Sequence, residues 1–353
     1  NATLNIEIQK TSKSRHSEID WENLPFGKVF SDHMFVMDYD GEKWTSMKVT
    51  PFKNLELSPA TSVLHYAQTF FEGMKATKND KGEILLFRPY ENAKRFNISA
   101  DRMCMPEVPE ELFMEALKTL LEVDRDWIPS KESDSLYIRP FMIAMDPYVG
   151  IRPSDTYKFI IFTCPVGAYY SEPVPVKIET HYTRAVDGGT GFAKAGGNYA
   201  ASLYPAKLGQ EKGYRQLIWT DSKEHKYIEE SGTMNVMFLI EDTLITPKSS
   251  ETILAGVTRR SVVDIACDWG MKVEERKVSV EEVVNACKNG TMIEAFGAGT
   301  AATIAPISII NFDGVDYKLP PVETREFSNK VLKYLDDYKK GRVEDKFNWI
   351  ITL

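Results

Sequence analysis

The chain has 353 residues, 43% of them hydrophobic, and a net charge of -8, which is length and apolar material for two ordinary cores rather than one. The acidic balance excludes a nucleic-acid partner, which would need clustered lysines and arginines against phosphate. The most apolar run, Phe159-Ile-Ile-Phe162, is strand-length and too short to span a bilayer, and the first residues hold no signal-peptide-like apolar region.

In chain order, 35–39 and 84–87 are short apolar runs beside Gly or Asp turns and predict strands. Residues 109–127 open with Pro-Glu-Glu and repeat Leu112, Phe113, Ala116, Leu117, Leu120 and Leu121 at helical spacing, which predicts a helix covering one side of a sheet. Tyr137, Ile138 and Arg139 alternate, so a strand there puts the phenol and the guanidinium on one face. Aromatic and β-branched residues predict a further strand over 157–163. Tyr170-Ser-Glu-Pro-Val-Pro-Val176 has two prolines two residues apart, which argues against a central strand and marks a linker.

After the linker, strands are expected at 216–220, 234–240, 272–276 and 291–296. Helices are expected at 258–269, with Val262, Val263, Ile265 and Ala266 inward, and at 280–287. The resulting division is a smaller α+β domain over 1–169, a linker over 170–176 and a larger domain over 177–353. The four cysteines (Cys104, Cys164, Cys267, Cys287) form no CxxC pair, and the five histidines (His16, His33, His65, His181, His225) never fall at metal-ligand spacing. Neither a metal site nor a disulfide framework is expected, and a reducing, cytoplasmic setting fits.

The chemistry concentrates in Arg184-Ala-Val-Asp-Gly-Gly-Thr-Gly-Phe-Ala-Lys-Ala-Gly-Gly-Asn-Tyr199, which leaves Lys194 among small residues with no neighbouring acid. A glycine-rich stretch of this kind is commonly a solvated loop. A desolvated amine there would instead lose preference for its charged form and become able to attack a carbonyl as a Schiff-base nucleophile. Leu254-Ala-Gly256-Val-Thr258 precedes an amphipathic helix. It reads either as a turn with Thr258 as cap or as an anion site on the free amides of Val257 and Thr258. Phe296-Gly-Ala-Gly299-Thr300-Ala301-Ala302 fits a loose GxGxxA dinucleotide pattern, but the β-branched, proline-interrupted run after it opens no long helix.

The string GGTGFAKAGGNYAASL resembles the lysine segment of the branched-chain amino acid aminotransferases. These are pyridoxal phosphate (PLP) enzymes of fold type IV, D-amino acid aminotransferase-like and two-domain, mixing α/β and α+β elements with the cofactor at the domain interface. Further motifs follow in the family's order from about Phe30 to Ile310. Tyr227-Ile-Glu-Glu230-Ser-Gly-Thr-Met-Asn resembles EVGTMN, which implies that Glu230 faces the pyridine nitrogen; Ser231 departs from the commoner valine, and Glu229 is expected to be solvated. The resemblance implies Lys194 as catalytic residue, Tyr199 near the cofactor's 3-hydroxyl, and Arg95, Val257, Thr258 and Thr300 around its phosphate.

For substrate it implies Thr300 and Ala301 at the α-carboxylate, with Tyr66, Phe71, Tyr137, Arg139 and Tyr169 shaping the side-chain pocket. Arg139 would receive the distal carboxylate of glutamate. Asp146-Pro-Tyr-Val149-Gly-Ile151 resembles a loop that reaches a neighbouring subunit, implying a homodimer. Where some relatives carry a CxxC pair after the Gly-Thr-Ala turn, this chain has Ala302 and Ala305, so thiol regulation at that point is excluded. The expected activity is exchange of the amino group between L-leucine, L-isoleucine or L-valine and 2-oxoglutarate. Other fold-type-IV enzymes, a D-amino acid aminotransferase or an aminodeoxychorismate lyase, share Lys194 and Glu230 but need different pockets. A noncatalytic protein binding a phosphorylated ligand at the glycine turns is the rival from another class.

Overall fold

The computed structural model describes residues 4–169 and 172–353. Contacts divide it into two units. One runs to Ala168 and takes in Ala193–Gly196 and Asp337–Leu353; the other comprises Tyr169–Phe192 and Gly197–Asp336. Each is built on a nine-stranded sheet.

Two segments beyond the expected linker pack with the first unit for clear local reasons. Ala195 bridges Phe70, and the terminal strand Ile350–Thr352 pairs with Ile84–Phe87. The first sheet is antiparallel except for the short strand Glu7–Ile8. Its longest members, Ser135–Ala144 and Tyr157–Val166, pair along their whole length. The helix Glu110–Val123 buries the six residues that its spacing singled out. It stops short of Trp127 because Asp124 turns out of helical geometry, its carboxylate taking the backbone N–H and Nδ1 of His33. Phe113, Phe96 of the helix Pro89–Arg102, and Phe159 of the sheet lock ring to ring at 5.3 to 6.0 Å. Tilted and edge-on aromatic contacts of this kind tie the helical layer to the strands.

The second sheet is mixed. The strands Ile228–Ser231, Met234–Ile240, Met292–Gly299 and Thr303–Phe312 run antiparallel in that order. The helices Val257–Asp268 and Val280–Asn289 press Val262, Ile265, Val283 and Ala286 into buried positions.

The proline-rich segment corrects the sequence reading. Val174–Ile178 is a central strand, parallel to Thr303–Phe312 on one side and to Gln216–Thr220 on the other. Pro175 is tolerated because the register with Thr303–Phe312 shifts beside it, and its carbonyl still accepts from Arg215 N at 3.0 Å. Tyr170 and Ser171 of the expected linker lie outside the described residues. Among the described residues no helix is long and apolar enough to cross a membrane.

Candidate active site

In the first unit the helix Pro89–Arg102 turns Asn92, Arg95 and Ser99 to one face by their spacing of three and four. Arg95 meets the fully buried Glu72 through two bonds, Nε to Oε1 at 2.6 Å and Nη2 to Oε2 at 2.8 Å. Asn92 adds a third at 3.0 Å. Ser99 Oγ accepts the backbone N–H of Lys194 at 2.9 Å, and Phe71 N donates to the Lys194 carbonyl at 3.2 Å. The lysine backbone is thereby clamped between a helix and a strand edge.

Lys194 Nζ lies 4.9 Å from the centre of the Phe71 ring. Desolvation foremost, then the Arg95 guanidinium, push the amine down to about 8, against the opposing pull of Glu72 and Tyr137. Arg139 completes the cluster. Its Nη2 donates to Tyr137 Oη at 2.8 Å and its guanidinium sits 4.3 Å from the Phe71 ring centre, while Nε is buried without a hydrogen-bond partner. Gly73 is required beside them, since a Cβ there would come within 2.3 Å of Tyr137 Oη. Phe26 stacks edge-on against Tyr137 at 5.0 Å.

In the second unit Glu230 is buried on the strand Ile228–Ser231. Its Oε1 accepts from Leu254 N at 3.1 Å and from Asn235 Nδ2 at 3.4 Å, and its Oε2 lies 2.6 Å from Arg184 Nε. That contact is an ion pair without hydrogen-bond alignment. Arg184 is held in place by Nη2, which donates to the carbonyls of Gly191 and Thr252 at 2.8 and 2.7 Å. Asn235 joins the parts of this unit: it bonds Leu254 O, pairs across strands with Ala298 just before the Thr300-Ala301 turn, and touches the start of the next helix. A Cβ on Gly256 would meet Asn235 Oδ1 at 2.0 Å.

The helix Val257–Asp268 is capped by Gly256 with no side-chain hydrogen bond. Thr258 sits buried inside the first turn, so it is not the cap, and the first-turn amides keep the character of an anion site. The glycine run before Thr300 is itself strand and is followed by another strand, not a helix. A dinucleotide turn is therefore ruled out.

Several residues of the site escape a sequence reading. Glu72, Asn92 and Ser99 carry a signal in the spacing of polar residues around Arg95. Arg184 and Asn235 stand inside the lysine and EVGTMN-like strings, but nothing local marks what they bond, because Glu230, Leu254 and Thr252 lie on other segments. Glu229, expected in solvent, is instead buried, with Oε2 lacking a hydrogen-bond partner. The strand, not a turn, carries it inward. Tyr66 is partly exposed with His65 as its ring neighbour. Tyr169, Val149 and Ile151 stand exposed, and Tyr199 is half-buried in the helix Gly196–Glu211.

The donor set fits PLP on chemical grounds. One unit offers a desolvated amine beside guanidinium groups; the other offers a buried carboxylate fixed by an arginine and a helix start whose N-cap, Gly256, adds no side-chain hydrogen bond.

Comparison with known proteins agrees. The family pattern "Amino-transferase class IV" matches residues 69–310. "Branched-chain-amino-acid aminotransferase 2" of Bacillus subtilis (strain 168) is 44% identical over 98% of this chain and 96% of its own length. Among solved structures, the branched-chain aminotransferase of Thermoproteus uzoniensis with norvaline superposes with a TM-score of 0.75 at 23% identity, covering 91% of this chain and 99% of that one. The branched-chain amino acid aminotransferase of Thermobaculum terrenum in its PLP form gives 0.70 at 21% identity over 92% and 99%. The last two likenesses establish the fold, and the extent and identity of the first establish kinship: the chain belongs to the class IV amino-transferases, in their branched-chain-amino-acid aminotransferase branch.

Proposed function

We propose that the chain is a PLP-dependent transaminase that exchanges the amino group of L-leucine, L-isoleucine or L-valine with 2-oxoglutarate, reversibly and with ping-pong kinetics. The observation that carries this reading is the Lys194 amine, lowered to about 8 in a niche lined by Phe71, Arg95 and Arg139. Bound PLP supplies an aldehyde for an amine and a ring that accepts electron density from a substrate Cα.

The chain's own groups do the rest. Lys194 Nζ, lowered to about 8 and so neutral more readily than an ordinary lysine, takes the Cα proton and returns it. Glu230, paired with Arg184 at 2.6 Å, faces the pyridine nitrogen and retains its proton. Arg95, the amides of Val257 and Thr258, and Thr300 hold phosphate, with Tyr199 at the 3-hydroxyl. Glu72 takes two nitrogens of Arg95, so the guanidinium serves phosphate as an oriented charge more than as a free fork. The α-carboxylate goes to Thr300 and Ala301. Tyr66, Phe71, Tyr137 and Tyr169 form the walls for an aliphatic side chain, and Arg139 receives a distal carboxylate. A homodimer in which Val149 and Ile151 reach the neighbouring subunit completes the proposal. The free cysteines suit a cytoplasmic setting.

The test is a transamination assay across amino donors of both hands, with borohydride reduction and mass spectrometry. We expect activity with the three branched L-amino acids and a reduced pyridoxyl group on Lys194. Activity confined to D-amino acids, or a label on Lys75 or Lys207, would overturn the reading.

A further inference from the structure

A buried carboxylate against the arginine meant for a phosphate is electrostatically out of place, and Glu72 is such a group. It lies between the strands Thr69–Phe71 and Met74–Lys78, both of which pair with Ser135–Ala144, and it is fully buried. Its Oε1 accepts Arg95 Nε at 2.6 Å, while its Oε2 accepts Arg95 Nη2 at 2.8 Å, Asn92 Nδ2 at 3.0 Å and the backbone N–H of Gly73 at 3.3 Å. Its own backbone N–H donates to Pro140 O at 2.8 Å, and Asn92 Nδ2 also reaches Gly73 O at 3.3 Å. Asn92 and Arg95 are buried on the helix Pro89–Arg102, so the carboxylate is braced from a strand edge and from a helix.

Two bonds to one edge of a planar guanidinium fix its plane and the direction of its other donors. For charge alone the arrangement is costly. A carboxylate cancels much of the attraction that Arg95 offers an anion, and a buried ion pair often stabilises a fold no better than apolar side chains of the same volume. Orientation is what remains for it to supply.

We propose that Glu72 is a positioning residue acting through Arg95: it holds the guanidinium in a fixed direction toward a phosphate monoester and so sets the preference of the site for the phosphorylated over the unphosphorylated cofactor. This rests on the reading of Arg95 as a phosphate ligand and deepens it. Asn92, which braces the carboxylate from the helix side, has a smaller share in the same role.

Pyridoxamine phosphate and pyridoxamine, which form no covalent bond with a lysine, are the probes. Their dissociation constants for the full chain freed of cofactor, measured by equilibrium dialysis, give a ratio that reads the phosphate contact. Glu72→Gln keeps the shape but sets an amide donor against the guanidinium edge, and should lower the preference for the phosphorylated probe by on the order of tenfold or more. Asn92→Ala leaves both charges paired and should lower it by about threefold. In an Arg95→Ala background, where Glu72 has no guanidinium to orient, Glu72→Gln should change the ratio by less than about twofold. There it should also recover part of the melting temperature that Arg95→Ala loses by stranding a buried charge.

A merely structural role would weaken both probes alike. An unchanged ratio in Glu72→Gln and Asn92→Ala, beside a ratio collapsed by Arg95→Ala, would overturn the proposal, as would a further fall with Glu72→Gln in the Arg95→Ala background. Should Glu72→Gln fail to fold, Asn92→Ala decides by the same ratio. If Arg95→Ala itself leaves the preference intact, the underlying reading of Arg95 fails instead.

Discussion

The role proposed for Arg139 is discrimination between substrates more than general binding. It is oriented by Tyr137 Oη at 2.8 Å, packed on Phe71, and left with a buried Nε that has no hydrogen-bond partner. A buried donor of this sort costs free energy until an acceptor arrives, and only the five-carbon diacids bring a second carboxylate to it. Arg139→Ala should raise KM for glutamate and 2-oxoglutarate by on the order of tenfold or more, with a much smaller effect on leucine, isoleucine and valine. Tyr137→Phe should show the same bias more weakly. Steady-state kinetics with both donor classes checks this, and equal losses would return Arg139 to the framework. At Glu230 the expectation concerns the chemical step. On the role proposed for Glu230, Glu230→Gln removes the group that retains the ring proton and should raise the barrier by about 2 to 4 kcal/mol, with a lesser effect on PLP affinity. Silence there combined with damage from Glu229→Gln would shift the assignment by one residue.

At the scale of elements, the start of the helix Val257–Asp268 depends on a single missing side chain. Gly256→Ala drives a Cβ to 2.0 Å from Asn235 Oδ1, and Asn235 in turn holds Glu230 and Leu254. The substitution should destabilise the cofactor-free protein by about 1 to 3 kcal/mol and weaken PLP binding, as measured by thermal melting and equilibrium dialysis. Unchanged affinity would remove this helix from the phosphate site. The same region marks what the sequence can tell. Helical periodicity over 258–269 and 109–127 is plain because each apolar stripe faces one core, and the lysine and EVGTMN-like strings need only local order to be read. The strand at Val174–Ile178 is hidden because its one proline, Pro175, is accommodated by a register shift in a partner more than a hundred positions away. The burial of Glu229 and the grip of Arg184 on Glu230 depend likewise on pairings between distant segments, which no local pattern encodes.

At the scale of the whole molecule, the loop after Ser135–Ala144 is where the proposed homodimer is open to test. Asp146 anchors it. Although burial works in the other direction, the amides of Asp155 and Thr156 and the Thr156 hydroxyl hold its carboxyl at about 2. With a folded value below the unfolded one, the anchor contributes stability above about pH 4 and loses it only as pH falls toward 2, so its hydrogen bonds keep their charge assistance throughout the physiological range. Yet this ordered loop presents Tyr148, Val149 and Ile151 at 50%, 71% and 92% exposure. Apolar side chains fixed outward on a pre-shaped loop favour a protein partner over solvent. The protein should therefore run by light scattering at twice the single-chain mass of 40.1 kDa. Ile151→Asp should shift it toward that single-chain mass and lower transamination, because a carboxylate cannot be buried there unpaired, while leaving the melting of the dissociated chain unchanged. Asp146→Ala should act in the same direction by freeing the loop, even though it leaves the apolar side chains in place. A wild type of single-chain mass with full activity, or an Ile151→Asp variant that stays dimeric and active, would place the subunit contact elsewhere and reduce this loop to surface.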